Sequence, residues 1–478
     1  MLLLLVPIAG LILVGLALIG LSFLISCVQE KERRASFFAA LQLLALLLLL
    51  GLFLHLQSIG FFRTGAGIAL LMVGLILSGA LAFFLLRRTS PNPKALLGAR
   101  GLIVGEVKRF DEREIVFARN RSLRPGSEEY RAFYASHPEH EAYDSKRRER
   151  GGPLGQLGSI DGKSGAANIA ATMAPNSIPQ SLSGQSQVFP EPPPALKGKR
   201  VEITSEEATQ RVKGFALSVG ADLVGITEIN PLWIYSHRGE IFHDHWQDWG
   251  KEIPLEHKFA VVFATEMNFQ MVGTAPHTPT VIESMINYAK GAYIATQLAA
   301  YVANLGYPAT ANHLRHYDSV LVPLAVDAGL GELGRLGYLM TREFGPRVRL
   351  AAVTTNMPLV PDKPVDLGVE DFCCICKKCA TCCPSQSIPM GEQTVVNGTL
   401  RWKLNEQTCF DYWGKIGTDC NICMRVCPWS HARTFPHKLI VEMVSRNKPA
   451  RRVFNLMDDV FYGRKPKPKA APPWARFV

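Results

Sequence analysis

Cys373, Cys376, Cys379 and Cys383 stand at C-x2-C-x2-C-x3-C-P, and Cys409, Cys420, Cys423 and Cys427 follow at C-x10-C-x2-C-x3-C-P. Thiolates at this spacing converge on cubane iron–sulfur clusters: the short C-x2-C turns supply three, and the fourth reaches a neighbouring cluster. One cluster is therefore assigned Cys373, Cys376, Cys379 and Cys427, and a second Cys383, Cys409, Cys420 and Cys423. The count closes, leaving Cys374, Cys382 and Cys27 to packing or simple adjacency. Structural zinc also uses paired C-x2-C knuckles. The C-x2-C-x2-C triplet suits a cube corner better than a tetrahedral ion, however, and both halves end in Cys-Pro. Disulfide frameworks belong to small secreted chains rather than to a long one with clustered cysteines. The chemistry is electron transfer, to an acceptor these residues do not name.

Other polar groups carry weaker signals. Gly329–Gly334 spells G-L-G-E-L-G, a formal dinucleotide fingerprint, but that motif should follow a strand and open a helix. Here Pro323 interrupts what precedes it and a further glycine, Gly337, follows. Closely spaced glycines still let backbone N–H groups approach a polar ligand. His243 and His245 flank Asp244, and His313 and His316 stand three apart; both pairs read as polar filling. Tyr288 and Tyr293 are five apart on a helical pattern and do not share a face. Arg347 and Arg349 alternate toward a strand and face the same way if that strand begins early enough. A buried arginine beside a phenol would make the phenol a better acid near neutrality.

The elements that must position these groups follow from periodicity. Glu206–Val219 and Thr280–Leu305 read as helices; Ala221–Ile226, Phe259–Thr265 and Val348–Thr355 read as strands. They alternate enough for a layered α/β or α+β domain, taken as α+β. Gly151–Lys199 is rich in Gly, Ser, Pro, Ala and Gln and reads as a linker or long wrapping segment. Arg464–Pro473 is Pro- and Lys-rich and reads as a poorly ordered tail.

Three apolar runs, Met1–Cys27, Phe37–Leu56 and Ala66–Leu86, each approach or exceed the ~20 residues that cross a bilayer as a helix. Lys31, Arg33 and Arg34 after the first run, and Arg87, Arg88, Lys94 and Arg100 after the third, outnumber Arg63 in the middle loop. The positive-inside rule then places everything after Leu86 in the cytoplasm. Arg33-Arg34 also invites a twin-arginine export reading, but the aromatic pair of A-S-F-F comes one place late. A net charge of +11 and a pI near 9.1 suit an anionic lipid surface. No arginine-rich recognition helix or aromatic RNA-binding motif is present, so nucleic acid is not an expected partner. Residues 1–90 are expected as a membrane anchor, 91–200 as a connecting segment and 201–370 as the catalytic core. Residues 371–435 are then the cluster module and 436–478 a basic carboxyl-terminal segment.

From about Gly105 to Pro428 the chain resembles the reductive dehalogenases, corrinoid and iron–sulfur enzymes that remove halogen from organohalides. The resemblance rests on V-K-R-F-D-E-R-E-I-V-F-A-R (Val107–Arg119), L-G-Y-P-A (Leu305–Ala309) and A-G-L-G-E-L-G-R-L-G (Ala328–Gly337). It continues through E-F-G-P-R-V-R-L (Glu343–Leu350), P-D-K-P and both cysteine runs. The resemblance implies a base-off corrinoid in a nitroreductase-like core, reduced to a Co(I) centre through a ferredoxin-like module with two cubane clusters. It implies a tyrosine proton donor, an assisting arginine and an asparagine near the substrate, carried by motif position to Tyr288, Arg347 and Asn312. Tyr293, Arg315 and Arg349 are the nearest rivals. Gly331, Gly334 and Gly337 would then lie against the corrinoid, and His313 and His316 keep a structural role. The implied partners are an organohalide, membrane lipid and an electron donor (quinol, ferredoxin or flavodoxin). Many relatives are exported and use a separate anchor, whereas this chain carries its own spans. Two alternatives remain: a membrane-tethered iron–sulfur electron carrier, and a corrinoid enzyme like epoxyqueuosine reductase.

Overall fold

The structure is a computed structural model that describes residues 2–151, 154–183, 188–189, 200–240, 246–314 and 316–476. His243, Asp244, His245 and Arg315 lie outside the described residues. The chain divides into two compact units.

The first unit gathers Met1–Pro91, Asp371–Cys376 and His431–Lys467. Helices α1 (Leu2–Gln29), α2 (Arg33–Ser58) and α3 (Gly65–Leu86) contain three stretches long and apolar enough to cross a membrane. Their exposed faces are apolar too, with Leu11, Ile76 and Leu77 uncovered, as lipid-facing surface requires. Helices Phe435–Arg446 and Lys448–Phe461 pack against these spans, so the carboxyl-terminal region is more than a basic segment. Phe461 fits among Cys27, Ala35 and Ala39, whose small side chains let the helices approach. Phe23 meets the Phe461 ring edge-on at 5.2 Å. Asn447 joins the two parts: its Nδ2 donates to the Phe84 and Arg87 carbonyls at 2.9 and 2.6 Å. Its Oδ1 caps the helix that follows by accepting from Ala450 N at 2.7 Å. One side chain thus satisfies both a helix end and a helix start.

The second unit holds Asn92–Glu370, Lys377–Ser430 and Pro468–Val478. Its centre is an antiparallel five-stranded sheet in the order β1-β4-β7-β3-β2. The strands are β1 (Val188–Phe189), β2 (Leu223–Glu228), β3 (Phe259–Glu266), β4 (Ala309–Asn312) and β7 (Val348–Thr355). Strand alternation sends Phe259, Val261 and Phe263, with Ala351 and Val353, to one face, where helices Ser205–Ser218 and Thr278–Asn304 cover them. Ala260, Val262 and Ala352 face the opposite way, toward helix Leu321–Asp327. Two hairpins complete the strands: β5 (Glu332–Leu333) with β6 (Leu339–Met340), and β8 (Thr394–Val396) with β9 (Thr399–Arg401). The architecture is mixed helix and sheet, as expected.

The Gly/Ser/Pro-rich stretch wraps rather than links. Helices Gly165–Met173 and Ser177–Ser183 lie along helix Thr278–Asn304. Asp161 fastens the start of that helix, accepting from Thr278 N at 2.6 Å and pairing with His277 Nδ1 at 2.7 Å. The V-K-R-F-D-E-R run is a brace: Arg109 donates to the Tyr235 and Ile253 carbonyls, and Glu112 accepts from Gly239 N at 2.7 Å. Burial pushes the Glu112 carboxyl up to about 8.

Candidate active site and cluster-binding cysteines

The two cysteine runs fold alike. In each, a cysteine is followed by a left-handed residue, Lys377 (φ 53°) or Asn421 (φ 53°), that starts a short helix carrying the next cysteine. Those helices, Lys378–Cys382 and Ile422–Arg425, pack together within the second unit. Cys420 is itself left-handed (φ 63°). Two successive non-glycine residues in that region are a strained turn, held because it aims a side chain.

Cys383, Cys409, Cys420 and Cys423 line one cavity walled by Leu336, Tyr338 and Trp413 among others. Burial pushes the Cys409 and Cys420 thiols up to about 12, with neighbouring sulfurs adding to it. Cys423 is driven up for the same two reasons. Crowded cysteines in a largely apolar cavity fit a group that brings positive charge, as the iron of a cluster would. Ser387 N donates to Cys383 Sγ at 3.3 Å, the contact that tunes a cluster sulfur. The second assigned quartet therefore fits its cluster. Of the first quartet, Cys379 and Cys427 are buried in the second unit, and Cys373 and Cys376 are buried in the first.

A polar group adjoins this cavity through Asp419 and Asn421. Thr280, Ser284 and Tyr288 stand one turn apart on helix Thr278–Asn304, so they form a single stripe. Arg349 on β7 shares the orientation of Ala351 and Val353 and therefore meets that stripe. Its guanidinium lies 5.2 Å from the centre of the Tyr288 ring and donates to Ser284 Oγ at 2.8 Å. Asp419 Oδ2 is 3.5 Å away and accepts from Ser284 as well. Burial pulls the guanidinium's pKa down, but Tyr288, Asp419, Tyr338 and Cys423 outweigh it and hold the pKa above the ordinary arginine range. Arg349 Nε, Asp419 Oδ1 and Asn287 Oδ1 are buried with no hydrogen-bond partner among the described residues. Buried unpaired polar atoms around a phenol fit a bound group with a polar periphery. Tyr338, at the turn of the β5–β6 hairpin, is electrostatically coupled to Cys423, Cys409, Arg349 and Tyr288, and burial drives its pKa well up.

The structure pairs Tyr288 with Arg349, whereas the motif position pointed to Arg347. β7 begins at Val348, so Arg347 precedes the strand and the alternation does not reach it. Arg347 is buried in a turn, donating to the Ser430 carbonyl at 2.9 Å and to the Met267 carbonyl, and pairing with Glu266 at 3.0 Å. Asn312 ends β4 with both amide atoms used locally: Oδ1 accepts from Asp318 N at 2.8 Å and Nδ2 donates to the Thr310 carbonyl at 3.2 Å. Tyr293 is about half exposed, on another face of its helix. The glycine run follows a helix and opens a hairpin, the reverse of a dinucleotide fingerprint. A Cβ on Gly331 would sit 2.1 Å from the Met340 carbonyl, and one on Gly334 2.6 Å from Met340 Cγ. Gly337 takes a φ of 84° at the turn. The hairpin's own packing thus demands these three glycines. Burial lowers the His313 imidazole to about 4, as suits a structural histidine.

Ser284, Asp419, Asn421 and Tyr338 belong to the site and were not singled out from the sequence. Ser284 was discoverable, standing four residues before Tyr288. Asp419 and Asn421 flank Cys420 directly.

No family model matches the chain. The tetrachloroethene reductive dehalogenase of Sulfurospirillum multivorans is 34% identical over 290 residues, spanning 54% of this chain and 58% of that protein. The tetrachloroethene reductive dehalogenase of Desulfitobacterium hafniense is 33% identical over 277 residues, 49% of this chain and 50% of its own length. A solved catabolic reductive dehalogenase covers 79% of this chain and 49% of its own, with a TM-score of 0.61 at 25% identity. The chain is a homologue of reductive dehalogenases and has a reductive dehalogenase-like fold. It spans little more than half the length of the curated relatives it matches.

Proposed function

We propose that this protein is a membrane-bound oxidoreductase that removes halogen from an organohalide. The observation that carries the reading is the continuity between the four-cysteine cavity and the Arg349–Tyr288 pair through Asp419. Electrons and a proton would be delivered within one connected set of side chains. The activity for which the homologues are named, tetrachloroethene reductive dehalogenation, agrees with it.

Two electrons and a proton turn a carbon–halogen bond into a carbon–hydrogen bond and a halide ion. A corrinoid and two cubane clusters, when bound, would supply the electrons. Cys383, Cys409, Cys420 and Cys423 would hold one cluster; Cys373, Cys376, Cys379 and Cys427 are the proposed ligands of the other. The corrinoid would be held by the core, which would be nitroreductase-like, with Gly331, Gly334 and Gly337 as the proposed backbone contacts. Tyr288 donates the proton from its phenol to the carbon. Arg349 lies over the ring, fixes the phenol and favours the phenolate left after transfer. Ser284 and Asp419 hold Arg349 in that place. The apolar walls of the cavity exclude water that would otherwise compete for protons. Arginines and lysines flanking the spans favour a cytoplasmic catalytic unit, with lipid as a partner.

Anaerobic purification in detergent, followed by iron, sulfide and cobalt determination and a halide-release assay, tests the reading. Iron and sulfide for two cubanes, with one cobalt and halide release, are expected. The same iron with no cobalt after growth with corrinoid would overturn it and leave an electron carrier. Cobalt without halide release would point instead to chemistry like that of epoxyqueuosine reductase.

A further inference from the structure

Glu30 follows the first span directly, and its buried side chain lies beside two histidines from the far end of the sequence. All belong to the first unit. We propose that Glu30, His431 and His437 bind a divalent cation of the zinc class, independently of the reaction above. One donor atom from each residue lies within 4.8 Å of the other two. His437 Nδ1 is 3.5 Å from Glu30 Oε1, long for a hydrogen bond. It is close to the ~3.3–3.4 Å edge of a tetrahedron with metal bonds of ~2.0–2.1 Å.

The outer contacts match a metal site as well. His431 Nε2 is 2.7 Å from Asp458 Oδ1, and His437 Nε2 is 2.9 Å from the Tyr462 hydroxyl. With each Nε2 held by one of these partners, Nδ1 is the nitrogen left to bind a cation, the arrangement that sets the tautomer of metal-bound histidine. The two rings stack at 4.9 Å with 21° between planes. Thr434 Oγ1 lies 2.7 Å from His437 Nδ1, a hydrogen bond that the cation would replace. Two nitrogens and one carboxylate are a zinc donor set, whereas calcium and magnesium call for oxygens. A buried carboxylate is stabilised by such a cation. The ligands come from the loop after α1, from the segment before helix Phe435–Arg446 and from that helix. Asp458 adds the next helix, so the cation would clasp the first span to the carboxyl-terminal pair.

The test equilibrates the iron-loaded, detergent-purified protein with zinc, removes excess by gel filtration and counts metals. About one zinc per chain above the iron and cobalt is expected in the wild type, and close to none in Glu30→Gln and His431→Gln at unchanged iron. Zinc withdrawal by a chelator should lower the wild-type Tm at constant iron. Wild-type protein that retains no zinc, variants that retain as much as wild type, or a Tm indifferent to zinc removal would each overturn the proposal. If the variants do not accumulate, zinc retention and the chelator effect in wild type decide it.

Discussion

Arg347 and Arg349 stand two residues apart, share a residue type and have opposite surroundings. Arg347 is anchored in a turn: two backbone carbonyls and Glu266 take up its Nε and Nη1. Arg349 sits one strand position inside β7, over a phenol and beside a serine, with a buried Nε that no described residue takes up. The arginine bound to backbone carbonyls holds a fold, and the one set over a phenol and beside a serine stands where a ligand can use it. Residue type and proximity to the site do not separate them; the start of one strand does.

The largest expected effect tests the phenol. Tyr288→Phe should slow halide release about 10²–10⁴-fold, the usual contribution of a positioned acid, with iron and cobalt content unchanged. Wild-type rates in that variant would break the pairing and direct attention to Tyr338. Arg349→Met should reduce turnover about 10²-fold through a misplaced phenol, with a smaller change in Tm. Arg347→Met should do the reverse. Its lost bonds leave buried carbonyls unpaired, lowering stability by about 3 kcal/mol, while the folded fraction keeps its activity per cobalt. If the two arginine variants exchange these phenotypes, the comparison fails and the motif position was the better guide.

A smaller effect calibrates plain burial. Glu112 holds its proton up to about 8 in the folded state, above an ordinary carboxyl. Its contribution to stability is therefore complete in acid and is lost as pH rises through the ordinary carboxyl range toward about 8. Thermal scans across that window should show Tm falling with pH in wild type and falling less in Glu112→Gln.

The elements legible in the sequence were those with strong local periodicity. β7 begins and ends as its run of β-branched residues suggests, and the two long helices shift by only a residue or two at their starts. The gathering of Cys383, Cys409, Cys420 and Cys423 at one cavity was legible because cysteine spacing encodes geometry directly. The Tyr288 partner was not, since the motif position favoured Arg347 with Arg349 as a rival, and spacing alone does not choose between two arginines that alternate into one strand. The segment after Gly151 left a linker and a wrapping segment both open, because its helices are short and their stability comes from packing on another helix rather than from propensity. The helices after Thr434 were hidden for a related reason. Their charges are obvious, but the small residues that receive them, Cys27, Ala35 and Ala39, lie some four hundred positions earlier.

That last arrangement has a consequence for biosynthesis. The spans emerge from the ribosome first, yet the helices that cover Cys27 and Ala35 emerge only after Asn92–Glu370 and Lys377–Ser430 of the second unit have been made. The first unit must therefore wait, partly uncovered, while the intervening residues fold. A chain halted before His431 would leave its membrane helices with a naked patch of small side chains, open to other helices in the bilayer.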